Sequence, residues 1–164
     1  MARRVFYSFH YEPDNWRAAQ VRNSGLVEGN QSVSDNDWEK VKRGGDAAIQ
    51  TWIDGQLLGR SCTVVLIGSA TAGRKWINYE IRKSWEDGRG LLGIHIHNLR
   101  NREGLQSNKG ANPFGYVLAG RTPLSSLVKT YDPPPSRTST TVYEYIATNL
   151  ADWVEEAIAI RRVH

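Results

Sequence analysis

The chain carries one cysteine, Cys62, and one methionine, Met1, in 164 residues. A lone thiol excludes an internal disulfide and a multi-cysteine metal site, and it fits a reducing compartment. No apolar run approaches the roughly 20 residues that a membrane-spanning helix needs. The start, Met1-Ala2-Arg3-Arg4, runs straight into a strand-like segment without the apolar stretch and small-residue cleavage site of a signal peptide. A soluble, cytoplasmic protein with no membrane partner is expected. A long basic stripe is missing too. The net charge is +4, but the cations fall in short clusters at Arg3-Arg4, 40–43, Arg74-Lys75 and Arg161-Arg162, without interleaved aromatics. That pattern argues against a nucleic-acid partner and for a solvated surface that helps attract a small anionic ligand. No G-x-S-x-G elbow is present, so Ser8 and Ser69 are poor acyl-transfer nucleophiles, although His10 stands close to Ser8. No acidic pair follows the first strand, which disfavours a magnesium-dependent receiver domain.

What the chain does have is a core's worth of apolar residues, 40% hydrophobic with six tryptophans, enough for one domain over 1–164. The most informative stretch is 61–80, SCTVVLIGSATAGRKWINYE. Residues 62–67 form a near-continuous apolar run, as in a parallel strand covered on both faces, and 68–73 supply the turn. In the helix that follows, from Trp76 to Asp87, Ile77, Ile81, Ser84 and Trp85 make the inward stripe. Trp76, Glu80 and Lys83 lie about a quarter turn away. Glu80 thus sits at the border of the buried face.

RVFYSF at 4–9 reads as the first strand, ending at His10, with helix over 15–21 and a long polar loop over 23–37. Asp37 or Asp46 is expected to cap helices over 38–42 and 47–58, the latter with apolar Ile49, Trp52, Ile53 and Leu57. Residues 91–96 read as a third strand, 98–115 as an exposed loop, and 116–118 and 127–131 as short edge strands. Pro133-Pro134-Pro135 forms a stiff connector, and Thr141-x-x-Glu144 resembles a capping box for a last helix. Its stripe is Tyr143, Ile146, Leu150, Trp153, Val154 and Ile158. Alternating strands and helices predict an α/β, flavodoxin-like, doubly wound and mainly parallel sheet flanked by helices. Its ligand site should collect the loops beginning at Phe9-His10, Gly68-Ser69 and His97-Asn98.

Gly68-x-x-x-x-Gly73-Arg74-Lys75 has the spacing of a phosphate-binding P-loop, but that motif needs lysine and then serine or threonine where arginine and lysine stand. An ATPase or GTPase is rejected, leaving either a tight turn or backbone amides that contact a phosphate. His95 and His97 share a strand face and would need a third ligand to bind zinc, so simple packing is favoured and no metal is expected. For Glu80 two readings stand side by side: a functional carboxylate, or a surface ion pair with Lys83, Arg74 or Arg82. Trp76 suits either a site wall or a core edge.

The segments RVFYSFHY, TVVLIG, RKWINYEI and LLGIHIH, in this order and followed by Asn112-Pro113-Phe114, resemble the TIR-like domain family of the bacterial Thoeris anti-phage defence protein ThsB. The resemblance implies a flavodoxin-like fold and cleavage of NAD at the nicotinamide–ribose bond. NAD enters as substrate, with no permanently bound cofactor. The implied product is a cyclic ADP-ribose-type signal that activates a separate effector, with self-association assembling the active site. Linear ADP-ribose is the competing product. Glu80 maps onto the family's catalytic glutamate. Tyr7, Ser8, Phe9, His10, Ser69 and Trp76 become candidate substrate-binding residues. A non-catalytic adaptor or nucleotide-sensing module is the alternative. One departure stands out: the family's second strand and lid loop have only the weak region 26–28 to supply them.

Overall fold

The computed structural model describes residues 3–23, 27–29, 40–135 and 139–164. Its elements are β1 (Val5–Ser8), α1 (Tyr11–Arg22), α2 (Gly45–Leu57), β2 (Cys62–Ile67), α3 (Lys75–Glu86), β3 (Gly90–His95), β4 (Leu118–Ala119), β5 (Thr122–Pro123), β6 (Lys129–Tyr131) and α4 (Ser139–Arg162). Single 3-10 turns occur at Pro113–Tyr116 and Leu124–Ser126. A four-stranded sheet runs β1-β2-β3-β6 with every neighbouring pair parallel, and β4 and β5 form a separate two-stranded hairpin. The α/β, flavodoxin-like architecture read from the sequence is what the chain adopts.

All six residues of β2 and all six of β3 are buried, as two covered faces demand. Side chains alternate across the pleat. On one face Val5, Tyr7, Cys62, Val64, Leu66, Leu92 and Ile94 pack on Ala18 and Val21 of α1 and on Val142, Ile146, Leu150, Val154 and Ile158 of α4. On the other, Val65, Ile67 and Leu91 meet Ile77, Ile81 and Trp85 of α3, while Phe6 meets Ile49, Ile53 and Leu57 of α2. Within this second face a 2.7 Å hydrogen bond joins the buried hydroxyls of Thr63 and Ser84, which satisfies both groups. Gly90 allows α4 a close approach: a Cβ there would lie 2.8 Å from the backbone carbon of Ala157.

Several expectations need correction. Helix α1 begins at Tyr11 rather than at Asn15, because Pro13 falls in the first turn, where its missing N–H costs nothing. Helix α4 begins at Ser139, so Thr141 lies inside it rather than capping it. Asp46 likewise lies inside the first turn of α2, with Gly44 at the cap position; Asp37 and Trp38 lie outside the described residues. Of the expected edge strands, 127–131 contributes β6. Tyr116 closes a 3-10 turn and Leu118 belongs to the hairpin. Where the second strand was expected, the described residues show one parallel bridge between Arg4 and Glu28. Two backbone hydrogen bonds of 2.8 Å make it, from Val5 N–H to Glu28 C=O and from Glu28 N–H to Arg3 C=O.

Candidate functional site

A cavity of about 1000 Å³ opens at the carboxyl ends of β1 and β2, where an open parallel sheet places its ligands. One wall is the β1–α1 connection, with Phe9, His10, Tyr11, Glu12 and Asn15. The opposite wall is the β2–α3 turn with the start of α3, and Ile49 and Trp52 of α2 close the side. Glu80 is in the lining, one helical turn beyond Trp76.

Glu80 accepts a hydrogen bond at Oε2 from the Ser8 hydroxyl. The pleat explains the meeting, since Ser8 shares its face of β1 with Phe6 and so points toward α3. Ser8 is itself buried at the end of the strand. Part of the Glu80 side chain borders the open cavity, while burial of its carboxyl pushes the pKa up to about 8, against the smaller opposing effect of the Ser8 hydroxyl. Lys83 pairs instead with Asp87 at 3.3 Å, and Arg82 lies over the Tyr79 ring. Among the described residues Glu80 therefore has a hydroxyl partner and no ion pair, so the surface ion-pair reading does not hold. A buried acid with a raised pKa in a cleft is a recurrent feature of functional sites.

The other candidates separate clearly. Trp76 serves as both wall and core edge: it lines the cavity, packs beside Phe6 and Ile49, and meets Tyr79 edge to face with ring centroids 5.7 Å apart. Phe9 lines the cavity and stacks on Tyr11 at 6.3 Å. Tyr7 also belongs to the lining, but it is only 1% exposed and packs in the core, so Phe9 is the accessible stacking ring of the two. His10 lines the cavity, and burial, followed by nearby Arg74, lowers its pKa, which favours neutral imidazole. Ser69 is exposed and outside the lining.

His97 does not reach the cavity either. It is buried against His95 in an edge-to-face contact of 5.8 Å. The loop after β3 thus contributes nothing to the lining, contrary to the expected convergence of three loops. The P-loop-like turn is closed by the Gly68 N–H donating to Thr71 Oγ1 at 2.8 Å. Among the described residues no group of three or more His, Cys, Asp and Glu side chains is arranged to hold a metal. Sequence reasoning missed Arg22, Lys42 and Trp52, which also line the cavity. Trp52 had a signal in its helical stripe. The two cations had none, since their position depends on how separate elements dock. With Arg74 and Lys75, the latter paired with Asp46, they place four cations around a cavity whose acidic lining residues are Glu12 and Glu80, a positive excess that favours an anionic ligand.

Residues 6–101 match the family described as Thoeris protein ThsB, TIR-like domain, a span that starts within β1 and contains β2, α3 and both walls of the cavity. The chain belongs to the ThsB TIR-like family. A relative from Bacillus cereus (strain MSX-D12), named "Putative cyclic ADP-D-ribose synthase ThsB1", is 43% identical over 122 residues, covering 71% of this chain. The match spans 64% of that relative's length. Within this ThsB TIR-like chain, no described helix is long and apolar enough to cross a membrane.

Proposed function

We propose that this protein, acting through 1–164 as one TIR-like unit, cleaves NAD at the nicotinamide–ribose bond and converts it to a cyclic ADP-ribose-type signal. The observation that carries the reading is Glu80: a cavity-lining carboxyl with a raised pKa and a single hydroxyl partner. It stands in a chain 43% identical over 122 residues to a protein named "Putative cyclic ADP-D-ribose synthase ThsB1". The chemistry suits a single carboxylate. Glycosidases acting on ordinary sugars use a second acid to protonate the leaving oxygen, whereas nicotinamide departs from a pyridinium as a neutral base. Glu80 is left to stabilise the oxocarbenium charge that develops on the ribose. The positive nicotinamide ring also favours the carboxylate form of Glu80 when it binds.

Phe9 and Trp76 flank the cavity as stacking surfaces, Ser8 orients Glu80, and the positive lining of Arg22, Lys42 and Arg74 suits the pyrophosphate of NAD. Cyclisation requires a hydroxyl or ring nitrogen of the same substrate to reach the cation before water does, and an enclosed site promotes this. NAD is the substrate and no resident cofactor takes part. The product activates a separate Thoeris effector in the cytoplasm, and self-association completes the active state.

The test is chromatography of nucleotides from cells carrying the wild type or Glu80→Gln, with and without phage challenge. Nicotinamide release and a cyclic product that both depend on Glu80 support the assignment. Full NAD turnover in Glu80→Gln ends it. NAD binding without turnover under assembling conditions would establish a nucleotide-sensing module instead.

A further inference from the structure

Away from Glu80, the Arg17 guanidinium is buried and makes four hydrogen bonds. It is 3% exposed, beside Asp14 at 1%. Its Nε donates to Leu99 C=O at 2.9 Å and its Nη2 to Leu105 C=O at 2.9 Å, while Nη1 donates to Pro13 C=O at 3.2 Å and to Asp14 Oδ1 at 3.1 Å. The two carbonyls bracket a loop that is closed on itself, because Asn101 Oδ1 accepts from the Glu103 and Leu105 amides at 3.0 and 2.9 Å.

The same chain then returns across the β2–α3 turn, where a Cβ at Gly110 would lie 2.1 Å from Gly68 C=O. From the other side Asp14 abuts that residue, since a Cβ at Gly68 would lie 2.0 Å from Asp14 Oδ2. Gly68 is therefore close to both Asp14 and Gly110, and Arg17 bonds Asp14 directly and, at Leu105, the loop that leads to Gly110. Ala70, Ala72, Gly73 and Arg74, which form one cavity wall, follow immediately, while Phe9 to Glu12 of the other wall lead directly into Asp14.

We propose that Asp14 and Arg17 are positioning residues for the substrate cavity, a buried clamp that fixes the β1–α1 connection, the β2–α3 turn and the loop after β3 relative to one another. The inference rests on the cavity being the substrate site, as argued above. Neither residue lines the cavity or touches Glu80. An apolar pair filling the same space would hold none of the carbonyls, and a lysine, with one compact ammonium, cannot span the carbonyls that a guanidinium fork reaches.

The experiment is amide hydrogen exchange on the full chain, wild type against Arg17→Lys and Asp14→Asn, together with NAD kinetics. In Arg17→Lys exchange is expected to rise about tenfold at 99–106 and also at 68–74, a segment whose backbone Arg17 does not touch. KM should rise about tenfold with kcat within about threefold, because the walls loosen while Glu80 and Ser8 stay in place. Asp14→Asn should move the same quantities in the same direction by less. Arg161→Lys is the control: Arg161 holds Trp85 C=O at 3.0 Å, at the far end of α3, and its loss should raise exchange near that contact and leave KM unchanged.

Exchange that rises at 99–106 alone, or an unchanged KM in a folded Arg17→Lys protein, overturns the proposal. Where Arg17→Lys does not fold, Gly68→Ala puts the question from the other side. Its Cβ displaces Asp14, and exchange at 99–106 must rise; unchanged exchange there overturns the clamp. Exchange is read without substrate, so it decides the clamp independently of whether Glu80→Gln abolishes NAD cleavage.

Discussion

Asp14 and Glu80 are two carboxylic acids in the same part of the fold, and both are pushed toward the protonated form first of all by burial. They differ in what answers that burial. Asp14 has the Arg17 guanidinium 3.1 Å away, whose charge and hydrogen bond pull its acidity back toward the ordinary carboxylate range. Among the described residues Glu80 has only the Ser8 hydroxyl, and its pKa rises to about 8. A compensated buried charge can hold backbone in place. An uncompensated buried acid instead holds its proton, and a cationic group that enters the cavity favours its ionisation.

The comparison breaks most sharply at Glu80 itself. Glu80→Gln is expected to lower NAD cleavage about a thousandfold, the scale of removing a group aimed at transition-state charge. It should not weaken the fold. Glu80 keeps its proton in the folded state up to about pH 8, whereas its ordinary value is 4.5. Between those values the folded state holds the extra proton, so this group erodes stability as pH rises. Thermal unfolding from pH 5 to 8.5 should show Glu80→Gln gaining on the wild type as pH increases, and a gap that narrows would contradict the burial argument.

The opposite result is expected at the compensated acid. Arg17→Met strands Asp14 as an unpaired buried charge and should cost roughly 3 to 5 kcal/mol in a denaturant titration. A smaller effect belongs to Ser8→Ala. Losing the hydroxyl removes the influence that favours the Glu80 carboxylate, so the pH–rate profile should move to higher pH. The accompanying drop in kcat/KM at pH 7 should be about tenfold, shrinking at pH 9. Least of all is expected from an exposed acid on the same rim. Asp46 pairs with Lys75, with side chains 69% and 65% exposed, and Asp46→Asn should change unfolding free energy by less than about 1 kcal/mol. Equal effects at Asp46 and Asp14 would dissolve the distinction between an exposed and a buried pair.

How much of this was legible in the sequence follows from which features are local. The inward stripe of α3, Ile77, Ile81, Ser84 and Trp85, is the set the structure buries, because a 3.6-residue period is written in consecutive positions. β2 was equally plain as an apolar run. Glu80 was readable as a border residue, though its choice between ion pair and cavity depended on Ser8, 72 positions away. The Arg17 clamp was not readable. A charged residue in a short helix of weak amphipathicity looks like surface, and its partners at Leu99 and Leu105 lie 82 and 88 positions on. The misplaced loop after β3 has the same origin: parallel strands predict which end of the sheet carries ligands, but not which of the loops there turns toward the cavity. Of the region 26–28 from which the second strand and lid loop were expected, Leu26 lies outside the described residues and Glu28 makes the bridge to Arg4.

The close approach at Gly90 has a consequence for how the two halves of the molecule can vary. Where a sheet and a helix meet through side chains, a larger residue on one can be offset by a smaller residue on the other, and the layer spacing drifts as sequences change. At Gly90 the Ala157 and Ile158 backbone already occupies the space a methyl would need. The separation of α4 from the middle of the sheet is set there by main chain against main chain, a dimension that no exchange of neighbouring side chains can retune.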